Sequence, residues 1–192
     1  MKNHIIISLL FLSIGLSQKE YNYNDLIEMD NGLYTIKFSD EPITGRVYDY
    51  FEEFKPYSGA IISGKKVYMG NLLNGEKEGK WVYYHQKSDS IMMVETYKND
   101  SLYGFQKTYF TNGKLAEKTN YVNGQKDGKS FIYADNGQVT KDLNYKDGEL
   151  HGPAIYYTPK GEKLMEGQYT EGSKTGTWKY FSDGKLEKEE DY

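Results

Sequence analysis

Residues Gly124–Ser130, Gly-Gln-Lys-Asp-Gly-Lys-Ser, come nearest to a nucleotide-binding loop in this sequence. A phosphate-binding loop needs four residues between its glycines, then Lys and Ser or Thr at the start of a helix, so that backbone amides converge on the anion. Here three residues separate Gly124 from Gly128, and the strand-forming run Phe131–Tyr133 follows. The same spacing recurs in Gly75–Lys80 and Gly172–Thr177. The segment is therefore interpreted as a loop of a repeated unit, not as a phosphate site.

No other set of side chains predicts catalysis or metal binding. His85 ends a predicted strand and His151 lies in a predicted loop, and neither has the spacing of a metal ligand or a catalytic pair. Glu52 and Glu53 would point to opposite faces of a strand, which is poor geometry for shared acid–base chemistry. The chain has no cysteine, so thiolate metal sites and disulfides are excluded, and no serine lies in a Gly-x-Ser-x-Gly turn. We expect a protein that is not an enzyme and has no cofactor or metal.

Aromatic side chains are the remaining candidates for function. If the chain forms strands, alternate residues share a face, and five rings would then form patches on one face of the sheet. These candidates for a partner-binding surface are Trp81, Tyr83, Tyr156, Trp178 and Tyr180. Trp and Tyr anchor protein interfaces and also stack on sugars. The alternative, which stays open, is that a thin sheet packs side chains on both faces and leaves tyrosines half exposed without any function.

The elements that would position these rings repeat along the chain. Six phasing glycines each have an aromatic ring five residues later, and the last four intervals between them are 25, 24, 24 and 24 residues. The pairs are Gly45 and Tyr50, Gly79 and Tyr84, Gly104 and Tyr109, Gly128 and Tyr133, Gly152 and Tyr157, and Gly176 and Phe181. A period this regular predicts one small unit stacked repeatedly. We expect the rings of these pairs to stack on an inner face and the five candidate rings to lie on the second face.

Each repeat is predicted to be a β-hairpin. Asn123-Gly124 and Asn136-Gly137 flank a short β-prone run, and Asn-Gly is the strongest short-range hairpin signal. No window carries apolar residues at helical spacing over three turns, and glycine interrupts every candidate run. The predicted fold class is all-β, with tandem β-hairpin repeats that form a single elongated, twisted antiparallel sheet.

The predicted organisation has three parts: a signal peptide at residues 1–17, an N-terminal capping segment at 18–44, and six hairpin repeats at 45–192. Gly45 and Gly79 lie 34 residues apart, ten more than the period, and the excess falls at residues 51–63. We interpret this insertion as a protruding or lengthened hairpin. At the other end, the charged run Glu187–Asp191 would protect the open edge of the sheet against pairing with another chain.

The repeated motif Asn-Gly-x-x-x-Gly-x-x-x-x-Tyr, followed by x-x-x-Gly and Leu or Val, resembles the MORN repeat in its bacterial variant form. Pro42–Tyr48 resembles the divergent first copy of such chains, and the resemblance covers roughly residues 40–192 in six copies. The eukaryotic consensus Tyr-x-Gly-x-Trp is not followed, since only Trp81 and Trp178 stand two residues after their phasing glycines. The resemblance implies hairpin arrays used as scaffolds, with membrane or protein binding proposed. Some bacterial members carry an antitoxin label.

The start of the chain predicts export. Lys2 precedes the apolar stretch Ile5–Leu16, and Gly15-Leu16-Ser17 offers small residues for cleavage. The stretch is shorter than the roughly 20 residues that span a bilayer, and without cysteine there is no lipid attachment site. The chain has 24 basic and 28 acidic residues, a formal net charge of −4, and its lysines are scattered. A nucleic-acid partner is therefore not expected, and attraction to anionic lipid should be weak.

Taken together, these features predict an exported, non-enzymatic repeat protein that acts as a protein-binding or scaffolding surface in the cell envelope. The alternatives are a glycan- or membrane-binding module and an antitoxin- or immunity-type protein that neutralises a toxin. The sequence leaves open the partner, the oligomeric state, the role of the insertion at 51–63, and whether the protein stays in the periplasm or leaves the cell.

Overall fold

The computed structural model describes residues 18–54, 61–85 and 90–192, and it describes no side chains at 51–54 or 61–63. The predicted signal peptide and residues 55–60 of the insertion lie outside the described residues. Apart from a 3-10 turn at Tyr23–Asp25, the regular structure of the described residues consists of strands. These are β1 Glu20–Asn22, β2 Leu26–Glu28, β3 Tyr34–Ile36, β4 Gly45–Phe54, β5 Ile61–Leu73, β6 Glu76–Tyr84, β7 Ile91–Lys98, β8 Ser101–Leu102, β9 Gly104–Tyr109, β10 Leu115–Val122, β11 Gln125–Tyr133, β12 Val139–Lys146, β13 Glu149–Leu150, β14 Gly152–Tyr157, β15 Lys163–Thr170, β16 Ser173–Ser182 and β17 Lys185–Asp191.

The strands form one long open sheet, which confirms the predicted all-β fold of consecutive hairpins. The sheet has 15 strands, and its main path runs β1-β4-β5-β6-β7-β9-β10-β11-β12-β14-β15-β16-β17. Every pair from β4 onward is antiparallel, as expected for the repeats, and β1 of the predicted capping segment extends the sheet by pairing with β4 in parallel. β2 and β3 form a separate two-stranded hairpin.

The two-residue turns of the hairpins share one backbone conformation. Two consecutive residues with positive φ occur at Asn74-Gly75, Asn99-Asp100, Asn123-Gly124, Asp147-Gly148, Glu171-Gly172 and Asp183-Gly184. Such pairs define the type I′ turn, whose twist matches that of the flanking strands. The turns also join successive repeats, because the Gly124 N–H donates to the Leu102 carbonyl at 2.9 Å and the Gly172 N–H to the Leu150 carbonyl at 2.9 Å.

The phasing glycines are fixed by backbone conformation within the strands. Gly79, Gly104, Gly128, Gly152 and Gly176 all have φ between +62° and +92°. L-residues rarely adopt this left-handed region, so each copy needs glycine there. Gly45 has a different reason, because an added Cβ would lie 2.4 Å from the Lys19 carbonyl oxygen.

The core consists of two apolar clusters at opposite ends of the sheet. The N-terminal cluster is built from Ile43, Val47, Met69, Leu72 and Trp81, with the β2–β3 hairpin packed against it through Leu26, Tyr34 and Ile36. The C-terminal cluster is built from Leu143, Ala154 and Trp178. The β4–β5 hairpin remains paired out to Phe54 and Ile61, which confirms a lengthened hairpin as far as the described residues extend.

Within residues 18–54, 61–85 and 90–192, no helix combines the length and apolar character needed to cross a membrane.

Candidate functional site

A single row of cross-strand neighbours runs along the middle of one face of the sheet. Its members are Val47, Gly70, Trp81, Glu95, Gln106, Thr119, Ser130, Leu143, Ala154, Gly167 and Trp178, which we call the central row. Each member stands two residues after a phasing glycine or nine residues before one. We call this side of the sheet the tryptophan face and the other side the opposite face. Tyr83, Tyr156 and Tyr180 lie on the tryptophan face, two residues along from central-row positions.

The five candidate residues share the tryptophan face, but two of them are not on the surface. Trp81 and Trp178 are both 0% exposed, whereas Tyr83, Tyr156 and Tyr180 are half-buried. The expected assignment of faces is therefore wrong: the two indoles are core residues, and the rings five residues after the phasing glycines lie on the opposite face. There Tyr50 is 44% exposed. Whether the three tyrosines contact a partner stays a prediction.

Each indole is buried because a glycine lies beneath it. A Cβ added to Gly70 would come within 2.3 Å of the Trp81 ring, and one added to Gly167 within 2.3 Å of the Trp178 ring. Tyrosines enclose the C-terminal ring, with Tyr169 at 5.0 Å between ring centroids in an edge-on arrangement. The Trp178 Nε1–H donates to the Gln168 carbonyl at 3.1 Å. The indoles thus support the face from within and position the tyrosines around them.

The N-terminal tryptophan belongs to a set of lysine, tyrosine and glutamate side chains. The Lys77 ammonium lies 5.2 Å from the Trp81 ring centroid and 5.0 Å from that of Tyr97, within cation–π range. It donates to the Tyr83 hydroxyl at 3.3 Å, and the Tyr97 hydroxyl donates to Glu95 Oε2 at 2.7 Å. Four polar groups and one indole are therefore held in fixed positions.

The same set recurs at the C-terminal tryptophan, four repeats later. The Lys174 ammonium lies 4.3 Å from the Trp178 ring centroid and donates to the Tyr180 hydroxyl at 2.9 Å. The Tyr180 and Tyr192 hydroxyls are 2.8 Å apart, and the Tyr192 hydroxyl donates to Glu190 Oε2 at 2.7 Å. The pattern was hidden in the sequence because Glu190 and Tyr192 belong to an incomplete final copy.

Burial and hydrogen bonding keep several of these hydroxyls protonated. Desolvation raises the pKa of Tyr83, Tyr97 and Tyr156 well above the ordinary tyrosine value, and hydrogen bonds to neighbouring tyrosine or glutamate groups add to the effect at Tyr83 and Tyr156. Burial also raises the pKa of Tyr34 to about 12, with the nearby Glu28 carboxylate contributing. At the exposed C-terminal end, hydrogen bonds from Lys188 and then Tyr192 lower the pKa of Glu190 to about 2.

From Glu95 to Ser130 the central row is polar, before it becomes apolar again at Leu143. Glu95 is 5% exposed, and its Oε1 accepts a hydrogen bond from Gln106 Nε2 at 2.6 Å. Thr119 and Ser130 are each 1% exposed, and their hydroxyls are 2.7 Å apart. The Thr119 hydroxyl also contacts Glu117 Oε1 at 2.8 Å. These polar groups satisfy one another, as buried polar groups must if they are not to destabilise the fold.

A row of half-exposed tyrosines flanks the central row and was not among the predicted site residues. Its members are Tyr97, Tyr121, Tyr145, Tyr169 and Tyr192, which we call the tyrosine row. The first four each pair with a phasing glycine on the adjacent strand, and the Tyr192 N–H donates to the Gly176 carbonyl at 3.0 Å. Their recurrence seven residues before a phasing glycine is the sequence signal that identifies the first four members.

The described residues contain no group of three or more His, Cys, Asp or Glu side chains that could hold a metal ion.

No protein-family model and no curated protein matches this chain. Among solved structures, the Glycosylation Associate Protein (Gap123) complex from Streptococcus agalactiae contains a chain that is 22% identical, with a TM-score of 0.34. The match covers 54% of this chain and 19% of that chain, so the matched part spans about a fifth of the other chain's length. A likeness of this degree says nothing about activity or partner.

Proposed function

We propose that this chain is an exported, non-enzymatic protein of the MORN-repeat type, and that its tryptophan face binds another protein in the cell envelope. The observation that carries the proposal is the tyrosine row, which extends over four repeats with every member partly exposed. Tyrosine supplies a large contact area at a low cost in conformational entropy, and it is enriched in protein interfaces.

The rings of this face are held in place before any partner arrives. Lys77 and Lys174 each contact three rings of the face, and the Lys126 ammonium lies 5.1 Å from the Tyr145 ring centroid. Side chains that are already ordered lose less entropy on binding, which favours affinity. This arrangement supports a preformed contact surface.

The chemistry of the middle repeats favours a protein partner over a glycan. Sugar recognition needs polar side chains with free donors and acceptors beside the aromatic platform. Here Glu95 bonds to Tyr97 and Gln106, and Thr119 bonds to Ser130 and Glu117, so these groups are engaged within the sheet. The groups left for a partner to contact are therefore mainly the aromatic rings and hydroxyls of the tyrosine row.

The proposal is tested by affinity capture from the envelope of the exporting cell. The bait is the mature chain, and its partner should be lost when Tyr121 and Tyr145 are both changed to Ser. The matched control changes Tyr133 and Tyr157 to Ser, which removes two tyrosines from the opposite face. Circular dichroism and thermal unfolding verify that both double variants remain folded.

The expected result is one partner protein recovered by the wild-type bait and by the control, but not by Y121S/Y145S. Loss with the control alone would place the contact on the opposite face and refute the proposal. Recovery of polysaccharide without protein, or of no macromolecule at all by the wild-type bait, would also refute it.

A further inference from the structure

The opposite face carries a cross-strand pair of like charges near the middle of the sheet. Lys107 on β9 and Lys118 on β10 are directly opposed residues of adjacent antiparallel strands. They belong to a row of cross-strand neighbours made of Val82, Val94, Lys107, Lys118, Phe131, Asp142, Ile155, Glu166, Lys179 and Glu189. Like charges directly opposite one another destabilise a strand pair, so this position breaks the local rule for a stable sheet.

Other charges in that row are compensated by ion pairs. Lys129 Nζ lies 2.7 Å from Asp142 Oδ1, Lys163 Nζ lies 2.7 Å from Glu166 Oε2, and Lys179 Nζ lies 3.8 Å from Glu189 Oε1. Among the ion pairs of the described residues, neither Lys107 nor Lys118 takes part. The two opposed lysines therefore have no carboxylate partner within ion-pair distance among the described residues.

An exposed aromatic ring lies beside this pair. The Lys118 ammonium is 4.1 Å from the Phe105 ring centroid, and Phe105 is 40% exposed. Lys80 on β6 is exposed and lies on the same face. Uncompensated charge beside an accessible ring is an arrangement that a partner can use for both electrostatic attraction and apolar contact.

We propose that Lys107, Lys118 and Phe105 form a docking surface for a short acidic segment of a second protein. The surface lies across the sheet from the tyrosine row, so it goes beyond the function proposed above and would make the sheet a scaffold with two contact faces. Carboxylates of the partner would neutralise the lysine pair and remove its repulsion.

The charge distribution selects a short acidic segment over a large anionic surface. The C-terminal half of the same row carries Asp142, Glu166 and Glu189. Because these carboxylates are ion-paired with Lys129, Lys163 and Lys179, this half of the row offers an anionic bilayer or a nucleic-acid backbone no unpaired lysine, whereas a segment confined to β9 and β10 would meet the unpaired Lys107 and Lys118. The net charge of −4 also acts against extended anionic partners.

The experiment measures fluorescence anisotropy of a labelled oligoglutamate peptide mixed with the purified mature chain at low ionic strength. We expect saturable binding that weakens about tenfold in K107E/K118E, because the reversed charges repel the peptide. The matched control K146E/K185E makes the same change in net charge at exposed lysines elsewhere and should bind like the wild type. An oligolysine peptide and phosphatidylserine vesicles are measured in parallel.

A second measurement tests the unbound surface. K107Q should raise the thermal midpoint because it removes the repulsion, whereas K129Q should lower it because it breaks the ion pair with Asp142. The proposal would be overturned if the wild type did not bind oligoglutamate, or if both double variants lost the same affinity for the peptide. A lower thermal midpoint in K107Q would also overturn it. Vesicle binding that depends on Lys107 and Lys118 would also overturn it, in favour of a lipid ligand. None of these outcomes bears on capture through the tyrosine row.

Discussion

At the level of single residues, the tryptophan face depends on two glycines that no turn requires. Neither Gly70 nor Gly167 has a positive φ, so each could hold a side chain as far as the backbone is concerned. The space above each is filled by the indole of Trp81 or Trp178. Because protein interiors are close-packed, even one extra methyl group must displace the ring or the strand.

The first prediction follows from this contact. Changing Gly167 to Ala should reduce the free energy of unfolding by about 1–3 kcal/mol, because the new Cβ overlaps the Trp178 ring. Denaturant unfolding monitored by tryptophan fluorescence measures the loss. The double-mutant cycle with W178L is the control, since a smaller side chain leaves room for the methyl group and should shrink the effect of G167A. An equal effect in both backgrounds would contradict the proposed clash.

At the level of the hairpin, local conformation decides which residues the turns contain. The first residue of each type I′ turn has φ near +50°, and most of these positions hold Asn or Asp. Glu171 is the exception, with φ +49° and a side chain poorly suited to the left-handed region. Asn99-Asp100 shows that glycine is not obligatory at the second position, so the Asn-Gly signal does not identify this turn in the sequence.

The second prediction concerns this turn. Changing Glu171 to Asn should raise the free energy of unfolding by about 0.5–1 kcal/mol, because Asn tolerates the left-handed conformation better. The reverse change, Asn123 to Glu, places the unfavourable residue in an equivalent turn and should lower stability by a similar amount. Chemical denaturation of both variants provides the comparison. A stabilising effect of N123E, or a destabilising effect of E171N, would show that other contacts control these turns.

At the level of the whole molecule, half-buried tyrosine side chains link stability to pH along the entire sheet. Tyr34 lies in the N-terminal hairpin, Tyr83 and Tyr97 lie at the first tryptophan, and Tyr156 lies near the last. The folded-state pKa of each hydroxyl is raised above the unfolded value of about 10. The contribution of these protonated hydroxyls to the free energy of unfolding is therefore complete below about pH 10, and it is lost as the pH rises through the folded-state pKa.

The third prediction is that the thermal midpoint falls steeply above about pH 10. Tyrosinate absorbance of the folded protein should rise at a higher pH than that of the unfolded chain. Y156F removes one of these half-buried hydroxyls and should reduce the slope of the thermal midpoint against pH above about pH 10. Y103F, which changes a tyrosine that is 48% exposed, is the matched control and should leave the slope as in the wild type. A midpoint that stays level up to about pH 12 would contradict the assignment.

The turns could be predicted from the sequence, whereas the face of the sheet that is buried could not. The turn at Asn123-Gly124 was recognised because a turn is specified by adjacent residues. The burial of Trp81 and Trp178 was not recognised, since a strand pattern with aromatic residues at both parities gives no local reason to prefer one face. The tyrosine row was visible as a recurrence, but its role as the exposed border of the tryptophan face required the cross-strand register.

The amino-acid sequence by itself determined the 24-residue period, the hairpin unit and the open β-sheet, because each rests on backbone conformations that glycine and asparagine specify locally. Tertiary structure alone decided which rings became core, because the indoles are buried by Gly70 and Gly167 on neighbouring strands and by tyrosines of other repeats. It also brought Lys107 against Lys118 and Glu95 against Gln106. Such contacts depend on strand register and twist, which place residues side by side that lie 11 positions apart in the chain.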